Sequence, residues 1–529
     1  MVVDDGTGQG LEWGGYCHHG NILFPTWHRV YLLRLEAALR QYEPDVALPY
    51  WDYADEKFFP PINATDNQII EFIPWIFRAK NYTFEDSFDR SIFSSTGKTI
   101  PNPLYSYKLP ELVEVRERNL NDSDGNTPLP TYFDFSLSKP KGYETRRAPY
   151  AGMVASRADA VNTAKINSAI DNETANVYPN FNTYADLLLA KTILLYLRVP
   201  FVRSNNLPPY RSVVERLQFA LQSEFYATFS NTSTVGKYNT LIPQSDAPLE
   251  ALEQPHNCIH LAIGGFDAHF HFREGGLLAK GASGDMAFNE VAGFDPIFYF
   301  HHCNIDRVFF AWQKYHGVDT VEAFKNNHRL FLSHLQGTYQ VDPYSGGWGF
   351  NTNDSQGWTP GLLPNQVLSF NTELYPFEKA EGGYYTSDDV VDLANLPYKY
   401  ESIPSYAIPD DMLQLQKEST NVVIKLNKLT VYGPFALALY AGSDEEVLVD
   451  YETVFNRRKP NACPNCVAQQ AYTTTLLVPR SLKDADLKLR IFLTEGYFEQ
   501  KLLLANGVEV DLSDTLGTLN DLISYPQMN

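Results

Sequence analysis

Between residues 26 and 42 the chain reads TWHRVYLLRLEAALRQY, and His28, Leu32, Leu35 and Leu39 fall at i, i+4, i+7 and i+11. Those positions share one stripe of a helix, and Thr26 after Pro25 supplies a side-chain cap for its start. Residues 302–316 repeat the pattern, with His302, Ile305, Phe309 and Trp312 on one face. His256 and His260 stand four apart, so a helix there stacks both imidazoles on the same side. Three helices that each turn histidines toward an apolar interior predict a helical bundle with a metal site in its core.

Residues 55–150 and 336–400 show no such period. They are rich in Pro, Gly, Asn, Ser and Tyr, which predicts long ordered loops with short strands. After about residue 410 the pattern changes again. NVVIKLNKLTVYG, FALALYAG, EVLVDYETVF, AYTTTLLVP and LKLRIFLTEGYFE are short β-rich runs between turn signals, the spacing of an antiparallel sandwich or barrel. The two prolines and acidic residues of ESIPSYAIPDDM mark 401–412 as a linker. The expected division is a mainly α domain over 1–400, the linker, and a β-rich domain over 413–529.

Composition narrows the function classes. With 42 basic against 63 acidic residues the net charge is −21, which argues against nucleic acid and an anionic membrane as partners. No run of about 18 apolar residues indicates a transmembrane helix. The five cysteines (Cys17, Cys258, Cys303, Cys463, Cys466) are too few and too scattered for a disulfide framework. Their odd number fits a reducing compartment. The start, Met-Val-Val-Asp-Asp-Gly, has neither the basic nor the apolar region of a secretory signal, so a cytoplasmic or intracellular location is expected. Six Asn-x-Ser/Thr sequons, at Asn63, Asn81, Asn121, Asn172, Asn231 and Asn353, weigh the other way, although an Asn-rich chain acquires several by chance.

Seven of the twelve histidines lie in two groups, His18, His19 and His28, and His256, His260, His301 and His302. Imidazole suits borderline transition metals such as copper better than carboxylate does. The His256-x-x-x-His260 pair alone is a weak signal. It gains weight from Asp295-Pro-Ile-Phe-Tyr-Phe-His301-His302-Cys-Asn-Ile-Asp306-Arg307, because together they bring three imidazoles from two helices.

That D-P-x-F-x-x-H-H-x-x-x-D-R run resembles the copper B signature of the type-3 copper proteins: tyrosinases, catechol oxidases and hemocyanins. The resemblance implies His256, His260 and His302 as ligands, His301 as their neighbour, and Asp306 and Arg307 as helix anchors. His19-Gly-Asn-Ile-Leu-Phe-Pro-Thr-Trp-His28 has the H-x8-H spacing of the family's copper A, and LPYWDYA (48–54) resembles the segment downstream of it. The resemblance further implies a thioether between Cys17 and His19; a free buried cysteine is the alternative. Copper A in this family takes a third histidine well upstream, and only eighteen residues precede His19. His18, adjacent to it, points elsewhere along the backbone. The expectation is a copper A lacking its first histidine, in a chain that lacks its true N-terminus; a naturally degenerate copper A site is the alternative.

Glu253 and Asn257 match positions that in tyrosinases are thought to hold a water that deprotonates an incoming phenol; a first-turn helix acid favoured by the dipole is the other account of Glu253. Tyr398-Lys399-Tyr400 resembles the Y-x-Y motif that closes the catalytic domain. The region C-terminal to it resembles the shielding domain of fungal pro-tyrosinases, with Phe455 as the side chain that plugs the active site and Cys463-Pro-Asn-Cys466 as a copper-chaperone motif. The implied fold is a mainly α catalytic domain, a four-helix bundle around a dicopper site with long loops, plus a C-terminal antiparallel β-sandwich-like domain.

The implied function is a latent tyrosinase of pigment (melanin) chemistry that uses two copper ions and O2 to ortho-hydroxylate monophenols and oxidise o-diphenols to o-quinones. A catechol oxidase without monophenolase activity, an oxygen-binding protein and an inactive copper protein are the alternatives. The implied partners are a phenolic small molecule, O2 and a copper chaperone; homo-oligomerisation stays open.

Overall fold

The structure, a computed structural model, describes residues 17–61, 63–84, 97–111, 139–150, 168, 184–197, 211–240, 248–265, 284–338, 368–404, 418–427, 431, 433–442, 447–456, 471–482, 485–493, 496–502 and 509–511. Nine helices lie among them: α1 (Phe24–Arg40), α2 (Asp66–Ile70), α3 (Tyr184–Tyr196), α4 (Val213–Leu221), α5 (Tyr226–Ser230), α6 (Thr232–Asn239), α7 (Glu253–Ile263), α8 (Ile297–Tyr315) and α9 (Val321–Thr338). Among the described residues no helix is long and apolar enough to cross a membrane.

Every residue of α7 is buried, the mark of a helix at the centre of a core. Helices α3, α4 and α8 pack against it, and α1 packs along α8. The Arg29 guanidinium of α1 meets Asp306 of α8 at 2.6 Å, both out of solvent. Tyr398 and Tyr400 donate to the second oxygen of the same carboxylate at 2.5 and 2.6 Å, which ties the end of the loop region to that junction.

Two expectations about α1 need correction. It begins at Phe24, because Pro25 loses nothing by lacking an N–H in the first turn. Thr26 is therefore inside the helix and caps nothing; its hydroxyl contacts the Leu23 carbonyl and the Ser387 hydroxyl. The apolar stripe also stops short. Leu39 is 40% exposed, since the last turns run beyond the core. There Glu36 is buried instead, accepting from the Leu48 N–H and pairing with Arg40.

The loop regions hold one small antiparallel pair, β1 (Asn81–Thr83) and β2 (Thr99–Pro101). The C-terminal region holds β3 (Ser419–Asn427), β4 (Phe435–Ala441), β5 (Val447–Val454), β6 (Ala471–Pro479), β7 (Leu487–Leu493), β8 (Gly496–Leu502) and β9 (Glu509–Asp511). They form two sheets, ordered β6-β3-β9 and β5-β4-β7-β8. The pairs are antiparallel except β3 with β9, which is parallel, so the sandwich is not wholly antiparallel.

Alternation along β4 shows how this region joins the rest. Leu437, Leu439 and Ala441 face the three-stranded sheet, packing in one cluster with Val422, Ile424 and Leu476. Ala436, Ala438 and Tyr440 point the other way, into the same core as the helices. Both faces of the strand are covered, which is why all seven residues are buried. Close approach recurs at Gly236 of α6, where a Cβ would lie 2.0 Å from the Thr473 carbonyl oxygen. The expected linker, 401–412, is described only through 404; residues 405–417 lie outside the described residues.

Candidate metal centre

Helix α7 stacks His256 and His260 one turn apart, and α8 brings His302 to them. The His302 Nε2 lies 3.3 Å from His256 Nε2 and 3.2 Å from His260 Nε2. The far nitrogens of two of them are engaged, His260 Nδ1 with the Met286 carbonyl at 3.0 Å and His256 Nδ1 with the Asn257 side-chain oxygen at 3.0 Å, whereas the buried His302 Nδ1 has no hydrogen-bond partner. An Nδ1–H that donates outward leaves a bare lone pair on Nε2. His256 and His260 thus aim bare lone pairs at His302 Nε2, and three imidazole nitrogens converging this closely make a donor set that fits a metal ion. Burial, reinforced by neighbouring imidazoles, pushes the affinities of His256 and His302 for protons well down, and burial takes His260 down to about 3. Neutral imidazole is the form that ligates metal.

His301 joins this group, and its donor atom lies within 4.8 Å of the other three. Its ring stacks on His256, and neither of its buried nitrogens has a hydrogen-bond partner.

Facing them is a second group, Cys17, His19 and His28. His28 is on α1 with Nδ1 2.7 Å from the Phe24 carbonyl, while His19 sits in the loop before it. Burial takes His28 down to about 4 and holds His19 well below its usual range. Cys17 Sγ lies 3.0 Å from His28 Nε2, and 3.7 and 3.9 Å from the two nitrogens of His19. Burial and the nearby Glu253 carboxylate keep that thiol protonated. The two groups meet ring to ring: His28 stacks on His302 with centroids 4.4 Å apart, and His19 lies 5.4 Å from His256. His18 turns away, its Nδ1 accepting from the Asn21 amide at 3.1 Å.

The family model described as the common central domain of tyrosinase matches residues 4–315, a span that contains both groups. The chain belongs to the tyrosinase family.

Among curated relatives, it is 35% identical over 471 residues to tyrosinase HcTyr2 of Hahella sp., covering 86% of this chain and 74% of that protein. To a tyrosinase of Aspergillus oryzae it is 33% identical over 494 residues, covering 88% of this chain and 78% of the other. Among solved structures, the tyrosinase of Burkholderia thailandensis at low pH superposes with a TM-score of 0.61 at 27% identity, covering 91% of this chain and 87% of that one. The protein is thus a copper oxidoreductase of the tyrosinase and polyphenol oxidase type, and membership implies a dicopper centre.

Two further candidates, Glu253 and Phe455, touch these groups. Glu253, first residue of α7, accepts from the Gly20 N–H at 2.9 Å, and from the Thr232 N–H and hydroxyl at 2.8 and 3.0 Å. It thereby ties the loop after His19 to the helix of His256. Phe455 comes directly after β5, and its ring stacks on His260 at 4.5 Å and 27°, and stands edge-on to His19 at 5.8 Å. Cys463 and Cys466 lie outside the described residues.

Two supports escaped sequence reasoning, because their partners are hundreds of residues apart and carry no local pattern. Arg211 and Arg216 meet Glu250, just before α7, together with Asp450 and Glu452 of β5, all out of solvent. Asp285, beside the Met286 that holds His260, pairs with a buried Lys139 at 3.0 Å and accepts from the Tyr143 hydroxyl at 2.6 Å.

Proposed function

We propose that the protein is a latent tyrosinase that ortho-hydroxylates monophenols and oxidises o-diphenols to o-quinones. One copper would be held by His256, His260 and His302, the other by His19 and His28 within the described residues. When bound, the copper pair supplies O2 binding and the oxidation of the ring. The observation that carries the reading is the aromatic ring of Phe455 stacked on His260, where the two histidine groups face each other. A phenol ring fits where that ring lies.

The chain's own residues do the rest. Buried neutral imidazoles present their lone pairs, and the apolar surroundings exclude water from the reacting ring. Asn257 orients His256 through its Nδ1. Glu253 and Asn257 are the residues proposed to take up the phenol proton through a water. Cys17 and His19 are proposed to form a thioether. Helices α1, α7, α8 and α3 are read as the family's four-helix bundle, over a catalytic domain 1–400, a linker 401–412 and a shielding domain 413–529. An intracellular location and delivery of copper by a chaperone at Cys463 and Cys466 belong to the same proposal.

The engagement of Glu253 with Gly20 and Thr232 favours a second reading, a catechol oxidase whose carboxylate braces rather than moves a proton. Comparing tyrosine with catechol on the copper-loaded chain separates them: turnover of both supports the tyrosinase, turnover of catechol alone the second reading. Limited proteolysis within 401–420 is expected to raise catechol turnover. No rise, with copper loaded, removes Phe455 as a plug.

A further inference from the structure

Asn289 lies just past the short turn Asp285–Ala287 that carries Met286, whose carbonyl holds His260. Its side-chain Nδ2 donates to the main-chain carbonyl of Phe455 at 2.7 Å. The ring of the same residue stacks on His260. One phenylalanyl unit is therefore gripped at two points, the ring by an imidazole and the carbonyl by an amide.

Both grips come from the helical part of the chain and not from the β-rich region that carries Phe455. In a phenylalanyl residue the carbonyl carbon is separated from the ring by Cβ and Cα. The carboxylate of free tyrosine or 3,4-dihydroxyphenylalanine stands in the same relation to its ring. An amide N–H that donates to a carbonyl donates more strongly to a carboxylate, since the bond becomes charge-assisted. A decarboxylated phenol carries only an ammonium near that point, which has no lone pair to offer.

Given Phe455 as the plug, we infer that Asn289 is a specificity-determining residue that binds the α-carboxylate of an amino-acid phenol once the plug has left. The side chain touches the substrate's tail and not its reacting ring, so it sorts substrates. A site that hydrogen-bonds a tail discriminates against ligands that lack it.

The test uses the copper-loaded full chain cut within 401–420, with 3,4-dihydroxyphenylalanine and dopamine as paired probes and catechol as the check on turnover. Asn289→Ala is expected to lower the ratio of kcat/KM for 3,4-dihydroxyphenylalanine over dopamine by about tenfold, carried by KM. Asn289→Asp, which places a carboxylate opposite the tail, is expected to push that ratio lower still, toward the amine. A ratio unchanged in both variants overturns the inference, also where Asn289→Ala raises turnover by the uncut chain, because Asn289 then serves the plug alone. Absence of catechol turnover in the cut, copper-loaded parent chain overturns the plug reading instead, and the inference with it.

Discussion

The two histidine groups meet ring to ring but are built differently. The group of His256, His260 and His302 stands on two helices at the centre of the core, with the outward nitrogens of His260 and His256 pinned by Met286 and Asn257. The other has one histidine on a helix and one in a loop, and its third close donor is a sulfur. That weaker group also leans on the stronger. Gly20, next to His19, hangs on Glu253 of α7, and Arg29, next to His28, hangs on Asp306 of α8. Helix-borne ligands are positioned by the backbone itself, whereas loop-borne ones need side chains from elsewhere to hold them.

The contrast predicts its largest effect at the shared atom. His302→Ala removes the Nε2 that both other imidazoles approach, and catechol turnover should fall by more than the roughly 10–100-fold typical of losing a ligand's supporting partner. Copper content should fall by one ion per chain. His301→Ala should stay within that roughly 10–100-fold range and keep its copper. If copper is lost on replacing His301 and kept on replacing His302, the ligand role passes to the neighbour.

Next in size is the charge cluster that braces α7 from the C-terminal side. Arg216→Ala leaves Glu250, Asp450 and Glu452 short of a buried cation, and breaking such a pair costs about 3–5 kcal/mol. Urea denaturation of the uncut protein should show that loss. A change below about 1 kcal/mol would mean that the helical core needs no support from β5. Glu253→Gln is smaller in stability, about 1–3 kcal/mol, because an amide cannot accept from Gly20 and Thr232 on both sides. If Glu253 braces, copper binding weakens first at His19 and His28, and oxidation of tyrosine and catechol falls together. If only tyrosine turnover falls, with copper content intact, the residue moves the phenol proton.

Legibility in the sequence splits along the same divide. The stripe of His28 and Leu32, the four-residue spacing of His256 and His260, and the run around His302 are local patterns, and the helices formed where those patterns lie. Leu39 and Thr26 misled because helix ends depend on where the core stops and not on the period. The β-rich run FALALYAG announced β4 but could not say that one of its faces would pack on the helices. Arg211, Arg216, Lys139 and Asn289 carry no local signal, since each acquires meaning from a partner that only folding brings near. Glu253 was visible as a candidate, but its bonds to Gly20 and Thr232 were not.

Cys17 offers the finest test of the contrast. Its Sγ lies 3.0 Å from His28 Nε2, a lone pair left bare because the His28 Nδ1–H faces the Phe24 carbonyl, so the thiol can donate there. The same sulfur is nearly equidistant from the two nitrogens of His19, as approach along the axis through Cε1 requires. Bonding to that carbon removes the thiol hydrogen and one ring hydrogen, and it needs an oxidant, which copper and O2 provide. The copper-loaded, aerated chain should therefore be two hydrogens lighter than the chain prepared without copper, with the loss located by mass spectrometry on a fragment spanning Cys17 to His19. Cys17→Ser should abolish that loss and change stability by no more than about 1 kcal/mol, since a hydroxyl can still donate to His28. Full alkylation of Cys17 in the denatured, copper-treated chain would instead leave the sulfur as a hydrogen-bond partner of His28. His19 would then have no covalent tie to Cys17, and the difference between the two groups would be larger than their histidine count suggests.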